Sequence, residues 1–345
     1  MSTYPISVIM PCYNKEYEIL RILQAYDNQD CQIEFEVIAI DDGSTDNTLQ
    51  ILLNYHPTHF HLKIHKLEKN SGPATARNLG IEVAKSPLLL FVGDDILPEH
   101  DFIRQHIDLH EKLEERSTAI LGFTTWPKDI PINSVMLHID GIGAQQFSYY
   151  YMSDGKEYDF RHFYTSNVSI KTVFLRSVSQ WFDTTFNYAA YEDVELAYRL
   201  HKRGLSIKYS TKPKAYHYHY HNVWTFSRRQ YKAGLMANRL INKHPSLGSL
   251  ILGKHWQLKI MKAILIAKFY KTREYLDDIE KKALRLGSSF ENKVSQVSDK
   301  YYLSIFTFFF NKGFIQGYLS NQDLVKKVQI WYAKNMLLPL FQDDR

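Results

Sequence analysis

Cysteine is almost absent: the 345 residues hold two, Cys12 and Cys31. That excludes a disulfide framework, and with no Cys/His pairs at zinc spacing it points to a reducing compartment, so a cytoplasmic protein is expected. Long apolar runs are missing as well, since none reaches the roughly 18 uncharged residues that a membrane span needs. The start, MSTYPISVIMPCYN, has neither the basic opening nor the long apolar middle of a signal peptide, and its short apolar run reads as a first strand. No charge dominates: the formal net charge is +5, too small to argue for a nucleic-acid partner. Internal repeats are lacking, and the lone GIG at 141–143 is too little for a dinucleotide fingerprint.

What is present is ordinary globular usage, with 45% hydrophobic and 23% charged residues. Aromatics reach 14%, which suits strands, sugar-stacking surfaces or a membrane-facing edge. Short apolar runs at ISVIM, EVIAI, LKIHKL and LLLFV alternate with helix-period segments, the pattern of βαβ units feeding a mostly parallel sheet. Ile19, Ile22, Leu23 and Tyr26 predict a first helix with Asn14 as its N-cap and Glu16 in its first turn. Leu49, Leu52 and Leu53 mark a second helix, and a third begins at Gly72-Pro73, carrying Arg77 inward or toward a ligand. Residues 124–165 read as variable loops. Beyond them come a strand at SNVSI, a helix over YEDVELAYRLHKRG, a short strand at LSIKY and the alternating AYHYHYH, which would set His217, His219 and His221 on one face of a strand. From about Thr225 onward the chain is lysine-rich and helix-like. Its amphipathic, basic segment 247–270 and the aromatic YYLSIFTFFF suit packing on a core or partner, or contact with an anionic membrane surface.

The candidate chemistry sits just after strand ends, where open α/β sheets bind ligands because helix N-termini and loop amides converge. MPCYN follows strand one, DDGSTD follows strand two, NSGPATARN opens the third helix and GDD follows the next strand. Asp94 and Asp95 end an apolar strand as neighbouring carboxylates, and a divalent cation there would offset their repulsion. Mg²⁺ or Mn²⁺ commonly bridges one or two protein carboxylates to substrate phosphates, so this small set is adequate.

In that order and spacing, SVIMPCYNKEYEI, EVIAIDDGSTDNT, NSGPATARNLGIEVAKSPLLLFVGDDILPE and YEDVELAYRLHKRGLSIKYS resemble the inverting glycosyltransferases of family 2 over about residues 6–232. The resemblance implies the GT-A, Rossmann-like α/β fold: a mostly parallel sheet flanked by helices, here with a C-terminal helical extension. It implies a nucleotide-binding half at 1–123, an acceptor half at 124–232 and a helical region at 233–345. A nucleotide site would draw on Pro11, Tyr13, Asn14, Glu16, Asp42, Arg77 and Asp94, with Tyr13 stacking on or flanking the uracil, Asp42 bonding the base and Asp94 meeting ribose or sugar. Asp95 would bind the metal, and His219 or His217 would join it; spacing from Ala215 favours His219 and spacing from Tyr209 favours His217. Gly93 stands where the family's Asp-x-Asp motif often has its first Asp, which implies a weak hold on metal without donor. Asp193 would be the general base and Glu192 would orient the acceptor or share that role.

The implied activity is metal-dependent, inverting transfer from a nucleotide diphosphate donor, expected to be a UDP-sugar, to a hydroxyl of a saccharide or lipid-linked saccharide. The C-terminal helices are expected to meet the inner face of a membrane peripherally or to form a homo-oligomer. A sugar-phosphate nucleotidyltransferase would want a glycine-rich, basic loop after strand one, which PCYNKEYE does not supply. A non-catalytic sugar-nucleotide-binding or scaffold homologue is the other alternative, against which stand Asp95, Glu192 and Asp193.

Overall fold

The computed structural model describes residues 4–30, 33–113, 115–141, 146–147, 149–267, 274–292 and 296–341. Cys31, GIG beyond Gly141 and the end of the basic segment after residue 267 lie outside them. The chain forms two compact units, Met1–Ile130 with Phe147–His219, and Pro131–Gln146 with Tyr220–Arg345.

In the first unit, β1 (Ile6–Cys12), β2 (Glu36–Asp41), β3 (His61–Lys66) and β4 (Leu88–Val92) pair in parallel in the order β3-β2-β1-β4. Helices α1 (Ile19–Asp27), α2 (Thr48–Asn54) and α3 (Pro73–Val83) connect them. Strands covered on both faces need continuous rather than alternating apolar side chains, and β4, LLLFV, is buried at every position. After β5 (Ile96–Pro98), α4 (Phe102–Glu111) and β6 (Thr118–Thr125), the chain leaves this unit for α5 (Ser134–Asp140). It returns through β7 (Glu157–Tyr158), β8 (Asn167–Lys171), the one-turn α6 (Thr172–Leu175), α7 (Glu192–His201) and β9 (Ser206–His217). The sheet is α/β as expected, parallel through its first four strands and mixed beyond: β8 runs antiparallel to β4 and β6, while β9 lies parallel to β6 and antiparallel to β5 and β7.

The four apolar positions of the first helix, Ile19, Ile22, Leu23 and Tyr26, are all buried, and Pro73 opens α3 at its first turn. Three expectations need correction. Asn14 does not cap α1, whose N-cap is Glu18; it adopts a left-handed φ of 52°, a conformation Asn tolerates better than most residues. The stretch 124–165 is not all loop, since it holds α5 and β7. SIKY and AYH belong to one strand, β9, that stops at His217, so His219 and His221 lie beyond the strand rather than on its face.

The second unit holds α5, α8 (Val223–Lys243), α9 (Gly248–Leu252), α10 (Trp256–Ala267), α11 (Glu274–Ser289), α12 (Gln296–Tyr318) and α13 (Gln322–Met336). The line drawn after residue 232 falls inside α8. A capping box opens that helix, the Asn222 side chain accepting from the Thr225 N–H while Thr225 Oγ1 accepts from the Asn222 N–H. The aromatic run at 301–310 is the core of α12, with Tyr301, Tyr302, Phe306, Phe308 and Phe309 buried.

Helices α8 and α12 meet backbone to backbone. A Cβ added at Gly313 would lie 1.9 Å from the Tyr231 carbonyl oxygen, and one at Gly234 would lie 2.0 Å from that of Phe310. No rotamer relieves a clash with backbone, so Gly313→Ala must force the helices apart. The expected cost is about 1–3 kcal/mol, read as a lower urea midpoint of the helical signal; an unchanged midpoint would show that the crossing is not tight.

Candidate active site

The loop after β1 is held by side chains of the loop after β2. The Asn14 N–H donates to Ser44 Oγ (3.1 Å), Asn14 Oδ1 accepts from the Thr45 N–H (2.8 Å), and the Lys15 N–H donates to Thr48 Oγ1 (2.6 Å). Glu16 is tied the same way, its N–H donating to Asp46 and its carboxylate accepting from Asn47 Nδ2 at 2.8 Å. Asn14 and Glu16 thus tie the two loops together, while Tyr13 at the tip is 41% exposed. Pro11 lies within β1, opposite Ile40. Asp42, at the end of β2, accepts from the backbone N–H groups of Ser71 (2.7 Å) and Gly72 (2.8 Å), bracing the entry to α3. Burial raises its pKa against those two bonds.

The adjacent carboxylates after β4 have opposite surroundings. Asp94 accepts from the Tyr13 N–H at 2.8 Å; burial and the charge of Asp95 push its partly exposed carboxyl up to about 7. Asp95 Oδ2 gathers three nitrogens instead: Lys15 Nζ at 3.1 Å, His219 Nδ1 at 3.1 Å and His217 Nε2 at 3.5 Å. Burial works to raise the Asp95 pKa, but the two histidines and Lys15 outweigh it and hold the carboxyl well below the usual range. The antiparallel pairing of β5 with β9 sets this up by placing His217 opposite Ile96. His217 is buried, which lowers its pKa against the pull of Asp95, and stacks on Trp126 at 5.3 Å. One ligand atom from each of Asp95, His217 and His219 lies within 4.8 Å of the others.

A second acidic station stands at the start of α7. Asn78 of α3 clamps the preceding segment, donating through Nδ2 to the Phe182 carbonyl (2.8 Å) and accepting from the Phe182 N–H (2.9 Å). Tyr191 takes a left-handed φ of 65° immediately before the helix, a strained conformation for an aromatic residue. Glu192 then turns inward: it is 3% exposed and receives Arg77 Nη1 at 2.9 Å. Arg77 is itself buried, with its guanidinium 5.4 Å from the centroid of the Phe182 ring. Asp193 stays partly exposed and accepts from the Val194 N–H at 2.8 Å. Burial and the neighbouring Glu192 charge push its carboxyl up to about 7.

The profile of glycosyl transferase family 2 matches residues 7–167. Poly(ribitol-phosphate) beta-N-acetylglucosaminyltransferase TarS of Staphylococcus aureus is 44% identical over 91 residues, which is 26% of this chain and 16% of that protein. The uncharacterized glycosyltransferase YfnE of Bacillus subtilis is 36% identical over 108 residues, 31% of this chain and 27% of its own length. This chain thus spans less than a third of either relative. Over a longer stretch, validoxylamine A glucosyltransferase of Streptomyces hygroscopicus is 26% identical, covering 70% of this chain and 61% of that one. In fold, the chain matches the crystal structure of S. aureus TarS 1–349 in complex with UDP, with a TM-score of 0.51 and 16% identity over 99% of this chain and 92% of that one.

Within the stretch that the family model matches, Lys15 and Asn78 are the residues of this candidate site that sequence reasoning missed. Lys15 carries one usable sign, a basic residue in a strand-end loop beside an acidic one. Asn78 carries none, because its amide does backbone work far along the chain. The Arg77 and Glu192 pair is open to a direct test. Removing one partner of a buried ion pair strands the other charge, so Arg77→Leu should lower stability by about 3–5 kcal/mol, and adding Glu192→Gln should restore a large part of it. Equal melting temperatures for wild type and Arg77→Leu would contradict the pairing.

Proposed function

We propose that this chain is a metal-dependent, inverting glycosyltransferase that moves a sugar from a nucleotide diphosphate, a UDP-sugar, to a hydroxyl of a saccharide or lipid-linked saccharide. The observation that carries the reading is the convergence of Asp95, His217 and His219 at the sheet edge beside the loops after β1 and β2. The UDP bound to the TarS structure of like fold and the sugar-transferring relatives support the donor class.

One carboxylate oxygen and two imidazole nitrogens form a mixed donor set that suits Mn²⁺ better than the all-oxygen preference of Mg²⁺. A dication held there would supply charge neutralisation for the departing diphosphate. The chain's own residues do the rest. Tyr13 flanks the base, Asp42 and the amides it braces form the base-side wall, and Asp94 faces ribose or sugar. Asp193 takes the proton from the acceptor hydroxyl as its oxygen bonds to the anomeric carbon and the bond to the diphosphate oxygen breaks, which inverts the centre. Glu192, buried against Arg77, acts as a positioning residue. Asp193 must be ionised to act, so the rate should rise with pH through about 7 and fall away below it. Asp193→Asn should keep UDP affinity and lose roughly 10²-fold or more in turnover. UDP-release kinetics across pH check both, and a near-normal rate for the variant would remove Asp193 as base.

Lys15 contends for the same Asp95 oxygen that a dication needs. Burial works against its charge, but Asp95 and Asp94 more than offset that and raise its pKa, so the ammonium persists. It would leave Asp95 only when a diphosphate offers it a new anion, which explains why metal and donor should bind together. Lys15→Met should therefore bind Mn²⁺ without nucleotide roughly tenfold more tightly than wild type, about the worth of one partly buried ion pair. Mn²⁺ electron paramagnetic resonance with and without UDP measures this. Asp95→Asn should lose the metal-dependent part of UDP affinity in calorimetry; unchanged affinity would sink the metal reading. A cytoplasmic location follows from the donor proposed, and the C-terminal helices remain the part expected to meet a membrane or a second copy.

A further inference from the structure

Helix α10 is apolar on two opposite faces. Trp256, Ile260, Ala263 and Ala267 form the buried one, with Trp256 packed edge-on against Phe314 and Tyr318 of α12 at 6.0 Å each. Directly across the helix, Leu258, Met261 and Leu265 stand 61%, 56% and 58% exposed. Their spacing of three and four residues makes one continuous stripe along the helix. Three large apolar side chains aligned in water are unlike the single exposed leucines of an ordinary surface. Lys254, Lys259 and Lys262 are exposed beside the stripe. They belong to an unusual stretch: from Leu196 to Arg273 the chain has 17 Lys and Arg and no Asp or Glu. The lysine charges therefore have no acidic neighbour along the chain to neutralise them.

We infer that this face of α10 binds the surface of an anionic lipid bilayer. The stripe enters the boundary between headgroups and acyl chains, and the flanking lysines extend their ammonium groups to lipid phosphates. The charge selects this occupant. A second copy docked by two-fold symmetry would set the same lysines against each other, and an uncharged apolar partner would leave them without counterions. No described helix is long and apolar enough to cross a membrane, so α10 lies on the surface rather than spanning it.

Sedimentation of the full chain with phosphatidylcholine vesicles, with and without phosphatidylglycerol, tests the inference. The protein should partition onto the phosphatidylglycerol vesicles and be released by salt. The triple variant Leu258→Glu, Met261→Glu, Leu265→Glu, at exposed positions that leave the buried face intact, should lose at least tenfold in partitioning. Lys254→Gln, Lys259→Gln, Lys262→Gln should lose a comparable amount on anionic vesicles and nothing on neutral ones; circular dichroism confirms that each variant is folded. Absence of wild-type partitioning would overturn the inference, as would partitioning that survives both triple variants. A wild-type dimer that the glutamate variant converts to monomer would also overturn it, by assigning the stripe to a second copy.

Discussion

Two carboxylates on consecutive residues at the end of a buried strand repel each other, and the strand-end architecture of this protein is arranged around that repulsion. The resolution is unequal sharing. Asp95 takes Lys15, His217 and His219 and is held ionised, whereas Asp94 takes a single backbone N–H and is pushed toward neutrality. The same division recurs at α7, where Glu192 is neutralised by Arg77 in the interior and Asp193, denied that partner, is left as the high-pKa group facing outward. In each pair one carboxylate is anchored and its neighbour is left poised, the difference that lets chemically alike residues do different work.

The fold supplies these arrangements by register. Parallel strands β1, β2 and β4 bring three loops to one edge, and cross-loop bonds such as Asn14 to Ser44 and Thr45 lock the loops together before any ligand arrives. Antiparallel β5 and β9 then carry His217 to Asp95, and His219 reaches it from just beyond the end of β9. The Asn78 clamp and the strained Tyr191 fix where α7 begins, and so which of its first two acidic residues points inward. In the helical unit, Gly234 and Gly313 perform a comparable service by letting two long helices touch through their backbones. On α10, three large exposed apolar side chains align on one face with lysines beside them.

Much of this was legible in the residues. Apolar runs located β1 to β4, Gly72-Pro73 located the start of α3, and the acidic motifs fall just after β2 and β4 as read. The misreadings share a cause. Asn14 has the composition of a helix cap but is drawn into a left-handed turn by Ser44 and Thr45, and the regular alternation of AYHYHYH continues past the point where β9 loses its partner strand. Short-range pattern persists in the sequence even where tertiary pairing has ended.

Composition and periodicity alone determined that this protein is α/β, that its acidic motifs fall after strand ends, and that its C-terminal part is helical, because such properties depend on neighbours two to four residues apart. Only the folded chain decided that Lys15, His217 and His219 all reach Asp95 rather than Asp94, and that Glu192 rather than Asp193 is buried. Those outcomes rest on contacts across 124 residues for His219 with Asp95 and 115 for Arg77 with Glu192. At such separations, strand register and helix placement set which charges meet, and no local pattern carries that information.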